Sequence, residues 1–154
     1  MKRKARRGLG AMLVVAAGLA PITFAFGDYP PPLVRVGTNG GEVLAAERNG
    51  RTLYVRSRGS DPSCLGPCAL DWPPFLISPR DFPGDGLSVV HRADGGRQWS
   101  LGGRPLHFFA GDTARGEARG DGIGRWRALR PKDIGAVARR RSQHERSARE
   151  GKPL

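Results

Sequence analysis

An all-β fold, a small compact sheet or barrel-like domain made of two related β-hairpin units, is what this sequence predicts, and three observations predict it. Strand-length segments alternate with Gly-containing turns between residues 40 and 131. The stretch Asn49-Gly50-Arg51-Thr52-Leu53-Tyr54 matches Gly102-Gly103-Arg104-Pro105-Leu106-His107 at a spacing of 53 residues. Between the two copies sits a loop, residues 63–74, that holds the only two cysteines, Cys64 and Cys68, together with Trp72 and the rigid pair Pro73-Pro74.

The flanks of this domain are of another kind. Lys2, Arg3, Lys4, Arg6 and Arg7 form a basic start, Leu9 to Ala20 is apolar, and Ala25-Phe26-Gly27 places small residues before Asp28. That is the layout of a secretory signal peptide over residues 1–27, cleaved near Gly27; a retained anchor is the alternative. No cysteine follows the apolar run until Cys64, so a lipid anchor is not expected. Residues 28–39 read as a Pro-rich linker and a first short strand, and residues 132–154 as a basic tail, mobile or partly helical, with the run Arg139-Arg140-Arg141.

The net charge of +12 must be divided before it means anything. The basic start carries +5 and the tail +4, which leaves +3 for residues 28–131. Nucleic acid is therefore not an expected partner of the folded part. The tail is suited to weak contact with anionic surfaces.

Each half has its own strand plan. In the first, Glu42 to Glu47 leads through Asn49-Gly50 into Arg51 to Ser57, a hairpin in which both turn residues are expected at positive φ. In the second, Leu87 to Arg92, Arg97 to Leu101 and Arg104 to Ala110 are strands joined at Asp94-Gly95-Gly96 and Gly102-Gly103. Pro105 belongs at an edge or a strand start, because it cannot donate to a ladder. A last short strand spans Gly124 to Leu129 and ends at Pro131.

Candidate chemistry is sparse. Cys64 and Cys68 enclose Gly66-Pro67, which forces a tight bend, and export favours their oxidation to a structural disulfide. A redox-active pair would want Cys-x-x-Cys spacing and a helix N-terminus, and neither is evident. Metal thiolates would need ligands from elsewhere. Tyr54, Trp72, Trp99, Phe109 and Trp126, with His107 and Asp112, form a candidate binding face. Arginines flank them, so an exposed row would suit carbohydrate, peptide or polymer through stacking and cation–π contacts. His91, His107 and Asp112 are the alternative, a two-His-one-carboxylate metal site. No nucleophile elbow or comparable signature is present, so no enzyme activity and no cofactor are expected.

The residues Gly50-Arg51-Thr52-Leu53-Tyr54, Cys64-Leu65-Gly66-Pro67-Cys68, Trp72-Pro73-Pro74, Asp94-Gly95-Gly96-Arg97-Gln98-Trp99, Gly103-Arg104-Pro105-Leu106 and Gly120-Asp121-Gly122 together resemble a bacterial family of secreted repeats of unknown function. These are predicted lipoproteins with a Tyr-x-aromatic-x-x-Asp motif. The resemblance covers residues 40–131 and implies export and a duplicated β unit; it carries no agreed activity. The first motif copy keeps Tyr54 but has Arg56 for the aromatic and Gly59 for the aspartate. The second keeps Phe109 and Asp112 but has His107 for the tyrosine.

The functional expectation is an exported cell-envelope protein, periplasmic or secreted, acting as a non-enzymatic binding or structural module for an unidentified envelope ligand or protein. The alternative is a periplasmic metal-binding or redox-linked accessory protein.

Overall fold

The structure, a computed structural model, describes residues 32–57, 64–79, 81–84 and 86–151. The expected signal segment, Gly59 and the last three residues lie outside them. The described elements are β1 (Leu33–Thr38), β2 (Gly41–Ala46), β3 (Tyr54–Arg56), α1 (Pro67–Asp71), β4 (Leu87–His91), β5 (Arg97–Leu101), β6 (Arg104–Pro105), β7 (Trp126–Ala128) and α2 (Pro131–Arg149).

All-β is thus too narrow a description, and no barrel closes among these residues. The strands form three small antiparallel sheets, ordered β1-β2, β3-β7 and β4-β5-β6. They are knitted together by isolated bridges at Ala45↔Thr52, Tyr54↔His107, Pro74↔His107 and Leu76↔Gln98.

Two copies of one plan are visible in the register. β1 meets β2 from Leu33↔Ala46 to Val36↔Val43, and β4 meets β5 from Leu87↔Leu101 to Val90↔Gln98. The chain then turns back, giving Ala45↔Thr52 in the first copy and Ser100↔Pro105 in the second. The first strand of each copy is integral to the domain, since Leu33 and Val36 are core residues; the domain begins at β1, not at residue 40.

The last segment of each copy crosses to the other. Leu129 N donates to Leu53 O, and Leu44 N to Leu129 O, both at 2.8 Å. In the second copy Phe75 N donates to Leu106 O, and Trp99 N to Phe75 O, both at 2.9 Å. Phe75, which follows the first copy, therefore completes the second, and Leu129 completes the first. Residues 73–77 are an inserted extended segment, and Phe75 is its buried plug.

The core has two compartments, separated by strands that bury both faces. Leu44, Leu53, Val55 and Leu129 join Phe75, Trp99, Leu101 and Leu106 on one side. Val43, Ala45, Tyr54 and Ala128 join Trp72 and Trp126 on the other. The period-two alternation of β2 and β3 sorts residues between two apolar compartments rather than between core and water.

Local differences from the expected turns have simple causes. Among the described non-glycine residues only Cys64 has positive φ, so Asn49 is not part of a two-residue hairpin turn. Instead Asn49 N and Gly50 N both donate to Ala46 O, closing a longer loop. The cysteine loop is not a bare bend: Gly66 at φ 58° leads into Pro67 at the first position of α1. Pro131 likewise opens α2. Its expected role was to end a strand, but with Asp133 accepting from Arg130 N at 2.8 Å it starts a 19-residue helix. Acidic Asp133 in the first turn and Arg146 and Arg149 in the last complement the helix dipole.

Candidate functional site

The register places the two copies' key residues in equivalent positions. Tyr54 pairs with Ala128 as His107 pairs with Pro74, so Tyr54 corresponds to His107, Trp126 to Trp72 and Arg56 to Phe109. Tyr54 and His107 also pair with each other in antiparallel sense. Antiparallel pairing of equivalent residues puts an approximate two-fold axis between them.

The tryptophans obey the same axis. Trp72 and Trp126 stack face to face, with ring centroids 4.2 Å apart and planes within 11°. Phe109 covers the outer side of Trp72 at 4.6 Å, and the Arg56 guanidinium covers Trp126 at 5.3 Å. Tyr54 meets Trp72 edge-on at 5.4 Å, and His107 meets Trp126 edge-on at 4.9 Å. Arg56 thus occupies the place that Phe109 has in the second copy. It is a cation–π lid in the place of Phe109, worth about 0.5–2 kcal/mol according to its solvation. Gly120 makes the stack accessible to its own loop, because a Cβ there would lie 2.8 Å from Trp72.

The motif tyrosine and motif aspartate meet across the copies. Tyr54 Oη donates to Asp112 Oδ2 at 2.6 Å. Arg119 N donates to Asp112 Oδ1 at 2.9 Å, and Gly120 N donates to Tyr54 Oη at 3.3 Å. Together they latch the loop 112–120 onto the first copy. Burial pushes the Tyr54 phenol far above its ordinary range, and the Asp112 carboxylate adds to this. Burial also raises Asp112, against the opposing hydrogen bonds from Tyr54 and Arg119 N.

On the symmetry-related side the latch has a different chemistry. His107 stands for the tyrosine, and the position matching Asp112 is Gly59, outside the described residues. Arg92 Nη1 donates to Gln98 Oε1 at 2.8 Å, which fixes the amide orientation. Gln98 Nε2 then donates to Leu106 O at 2.7 Å and faces His107 Nε2 at 3.1 Å. His107 Nε2 must accept, so the ring is neutral with its proton on Nδ1. Burial lowers the His107 pKa to about 4; the nearby Pro105 carbonyl opposes this, and the charges of Arg92 and Arg56 assist it. Nδ1 itself makes no hydrogen bond of good geometry.

These positions correct the expected exposed face. Tyr54 and Trp99 are fully buried, Trp72 and Trp126 are 6% exposed, and Phe109 is half-buried. The reason is the doubled core: strand alternation has no solvent side to send an aromatic to. Six of the seven proposed face residues do come together, but as an interior seam. Trp99 lies in the other compartment.

The metal alternative is not assembled. His91 is exposed at the end of β4, His107 is buried beside Gln98, and Asp112 is engaged by Tyr54. Among the described residues no three His, Cys, Asp or Glu side chains converge in a manner suited to a metal ion. Cys64 and Cys68 form a disulfide, with Cα atoms 5.1 Å apart, and Cys64 packs in the tryptophan compartment.

Sequence reasoning missed one feature that the tail's arginine run signalled. α2 anchors to the core through Ile134 and Val137, then carries Arg140, Arg141 and His144 over a groove of about 790 Å³. Arg104, Arg127 and Asp133 line it as well. Arg127 grips Asp133 with two hydrogen bonds of 3.0 and 2.9 Å. Burial alone would raise the Asp133 carboxyl, but the Arg127 fork and Arg130 N–H outweigh it and hold it below the usual carboxylate range.

No helix among the described residues is long and apolar enough to cross a membrane. Comparison with curated proteins and with solved structures gives no match. A family model does match, over residues 88–130, and that span runs from β4 through β7, one copy of the plan described above. The matching model is that of Lipoprotein_15, described as a secreted repeat of unknown function, and this stretch of the chain is similar to it.

Proposed function

We propose that this chain is an exported, non-enzymatic binding or structural module of the cell envelope, released to the periplasm or the exterior by cleavage near Gly27 and carrying no lipid anchor. The observation that carries the non-enzymatic part is the engagement of the polar seam. Both Asp112 oxygens, the Tyr54 hydroxyl and His107 Nε2 are occupied by groups of the same chain. A general acid or base must reach its substrate's proton, and these groups face the interior. The family supports export.

The test is intact mass spectrometry of protein recovered from the exported fraction, under native and denaturing conditions. The expected mass starts at Asp28, lacks two hydrogens for the Cys64–Cys68 bond and carries no adduct. A diacylglyceryl adduct or a retained segment 1–27 contradicts the localisation. A stoichiometric metal in the native spectrum contradicts the binding-module reading and favours a metal-linked accessory role.

A further inference from the structure

We propose that the groove between α2 and the β5–β6 turn is a binding site for a phosphate-type oxyanion. The proposal deepens the binding-module reading and rests on it.

The shape of the groove comes from the helix sequence. Positions 133, 136, 137, 140, 141 and 144 share the face of α2 that looks at the domain. A helix that packed along its whole length would keep that face apolar. Here it is apolar only as far as Val137, and the next residues on the face are Arg140, Arg141 and His144. The contact at Val137 is close because Gly102, at φ 57°, has no side chain: a Cβ there would lie 2.9 Å from Val137 Cγ2. Beyond that anchor Arg140, Arg141 and His144 line the groove together with Arg104 and Arg127.

The charge of the groove selects its ligand. Four guanidinium groups line the groove, and two carboxylates lie against them, Asp133 held by Arg127 and Glu145 held by Arg141. A monoanionic carboxylate ligand would balance only half of the two charges left over. A phosphate group brings up to two charges and a tetrahedral set of acceptors, which several guanidinium forks can share. Arg141 pairs with Glu145 through an exposed contact of 3.0 Å, weak enough to exchange for a ligand. The phosphate could be carried by a phospholipid headgroup or by a soluble polyanion, and the chemistry of recognition is shared.

The full mature protein is titrated with inorganic pyrophosphate by calorimetry, and separately sedimented with vesicles of phosphatidylcholine and phosphatidylglycerol. Two charge-reversed double variants are compared: Arg140→Glu/Arg141→Glu in the groove, and Arg139→Glu/Arg146→Glu, which do not line it. Both change exposed helix positions by the same charge. The groove variant is expected to lose about tenfold or more in affinity, as for loss of charge-assisted hydrogen bonds, and the control far less. Pyrophosphate binding with that pattern supports the site and a soluble source. Vesicle binding alone with that pattern supports the site and a headgroup source. Equal losses in the two variants, or binding of neither probe, overturn the proposal. Export and adduct state are read from the mass spectrum instead, so failure of the groove leaves the module reading standing.

Discussion

Tyr54 and His107, equivalent residues of the two copies, exchange backbone hydrogen bonds in both directions, Tyr54 N to His107 O at 2.8 Å and His107 N to Tyr54 O at 3.0 Å. Around this pair the two copies are interlocked, each completed by a segment that follows the other. A tyrosine of one copy, Tyr54, and an aspartate of the other, Asp112, are thereby brought into a hydrogen bond. One latch joins Tyr54 to Asp112, and at the position related to Tyr54 His107 is held on Gln98.

The stacked tryptophans should behave as one unit. Trp72→Ala and Trp126→Ala are each expected to destabilise by about 3–5 kcal/mol, from lost burial and the cavity left behind. The double variant should cost less than the two together, because each ring's main partner is the other. Urea denaturation of the three variants measures this. Additive losses would show that the rings stabilise independently.

His107 gives a pH dependence whose sign is fixed by its depressed pKa. The unfolded imidazole titrates near its ordinary 6.5 and the folded one at about 4. Its contribution is fully present above 6.5 and is lost as pH falls toward 4, by about 1.4 kcal/mol per pH unit in that window. His107→Gln should remove this slope. Denaturation midpoints at pH 7, 6, 5 and 4.5 for both proteins check it, and parallel profiles would contradict a neutral, buried imidazole.

Much of this architecture was legible in the sequence, and the parts that were not share a cause. The Gly102-Gly103 turn, the match of Arg51-Thr52-Leu53-Tyr54 to Arg104-Pro105-Leu106-His107, and the short Cys64–Cys68 loop all depend on neighbours in the chain. The crossing of Phe75 and Leu129 into the opposite copies depends on pairings some 30 residues or more apart, from Phe75 to Leu106 and from Leu129 to Leu53, and no local pattern encodes it. Burial of Trp72 and Trp126 followed from a second compartment, which alternation along one strand cannot reveal. The tail reads as mobile or partly helical, and the full length of α2 is obscured because only Ile134 and Val137 mark its apolar face. Its start signals, Pro131 at the first position and Asp133 two residues on, are visible in the sequence once Pro131 is no longer taken to be a strand terminator.

Breaking the Cys64–Cys68 bond should have a modest, local effect. Closing so short a loop stabilises by roughly 2 kcal/mol in the chain-entropy treatment. Cys64→Ser/Cys68→Ser is expected to lower stability by about that amount while the protein still folds. The denaturant midpoint of the parent chain in reductant should agree with the variant's, and its midpoint without reductant should be higher. Loss of folding would mean that the loop is a nucleus of the tryptophan compartment rather than a staple.

Gly102 should control the seating of α2. Gly102→Ala places a side chain at positive φ and against Val137, with an expected cost of about 2–3 kcal/mol. Val137→Ala in the same chain should recover part of it by clearing the clash. Helix content by circular dichroism and thermal midpoints measure both steps. No recovery would place the whole cost in the backbone.

The cross-copy latch is tested most directly by a double-mutant cycle on Tyr54→Phe and Asp112→Asn, read as unfolding free energies at pH 7. Each single change removes a buried hydrogen bond to a charged group and is expected to cost about 1.5–3 kcal/mol. If Tyr54 and Asp112 act on each other across the two copies, the double variant falls short of additivity by about 1 kcal/mol or more. Additivity within about 0.3 kcal/mol would contradict the latch between the two copies.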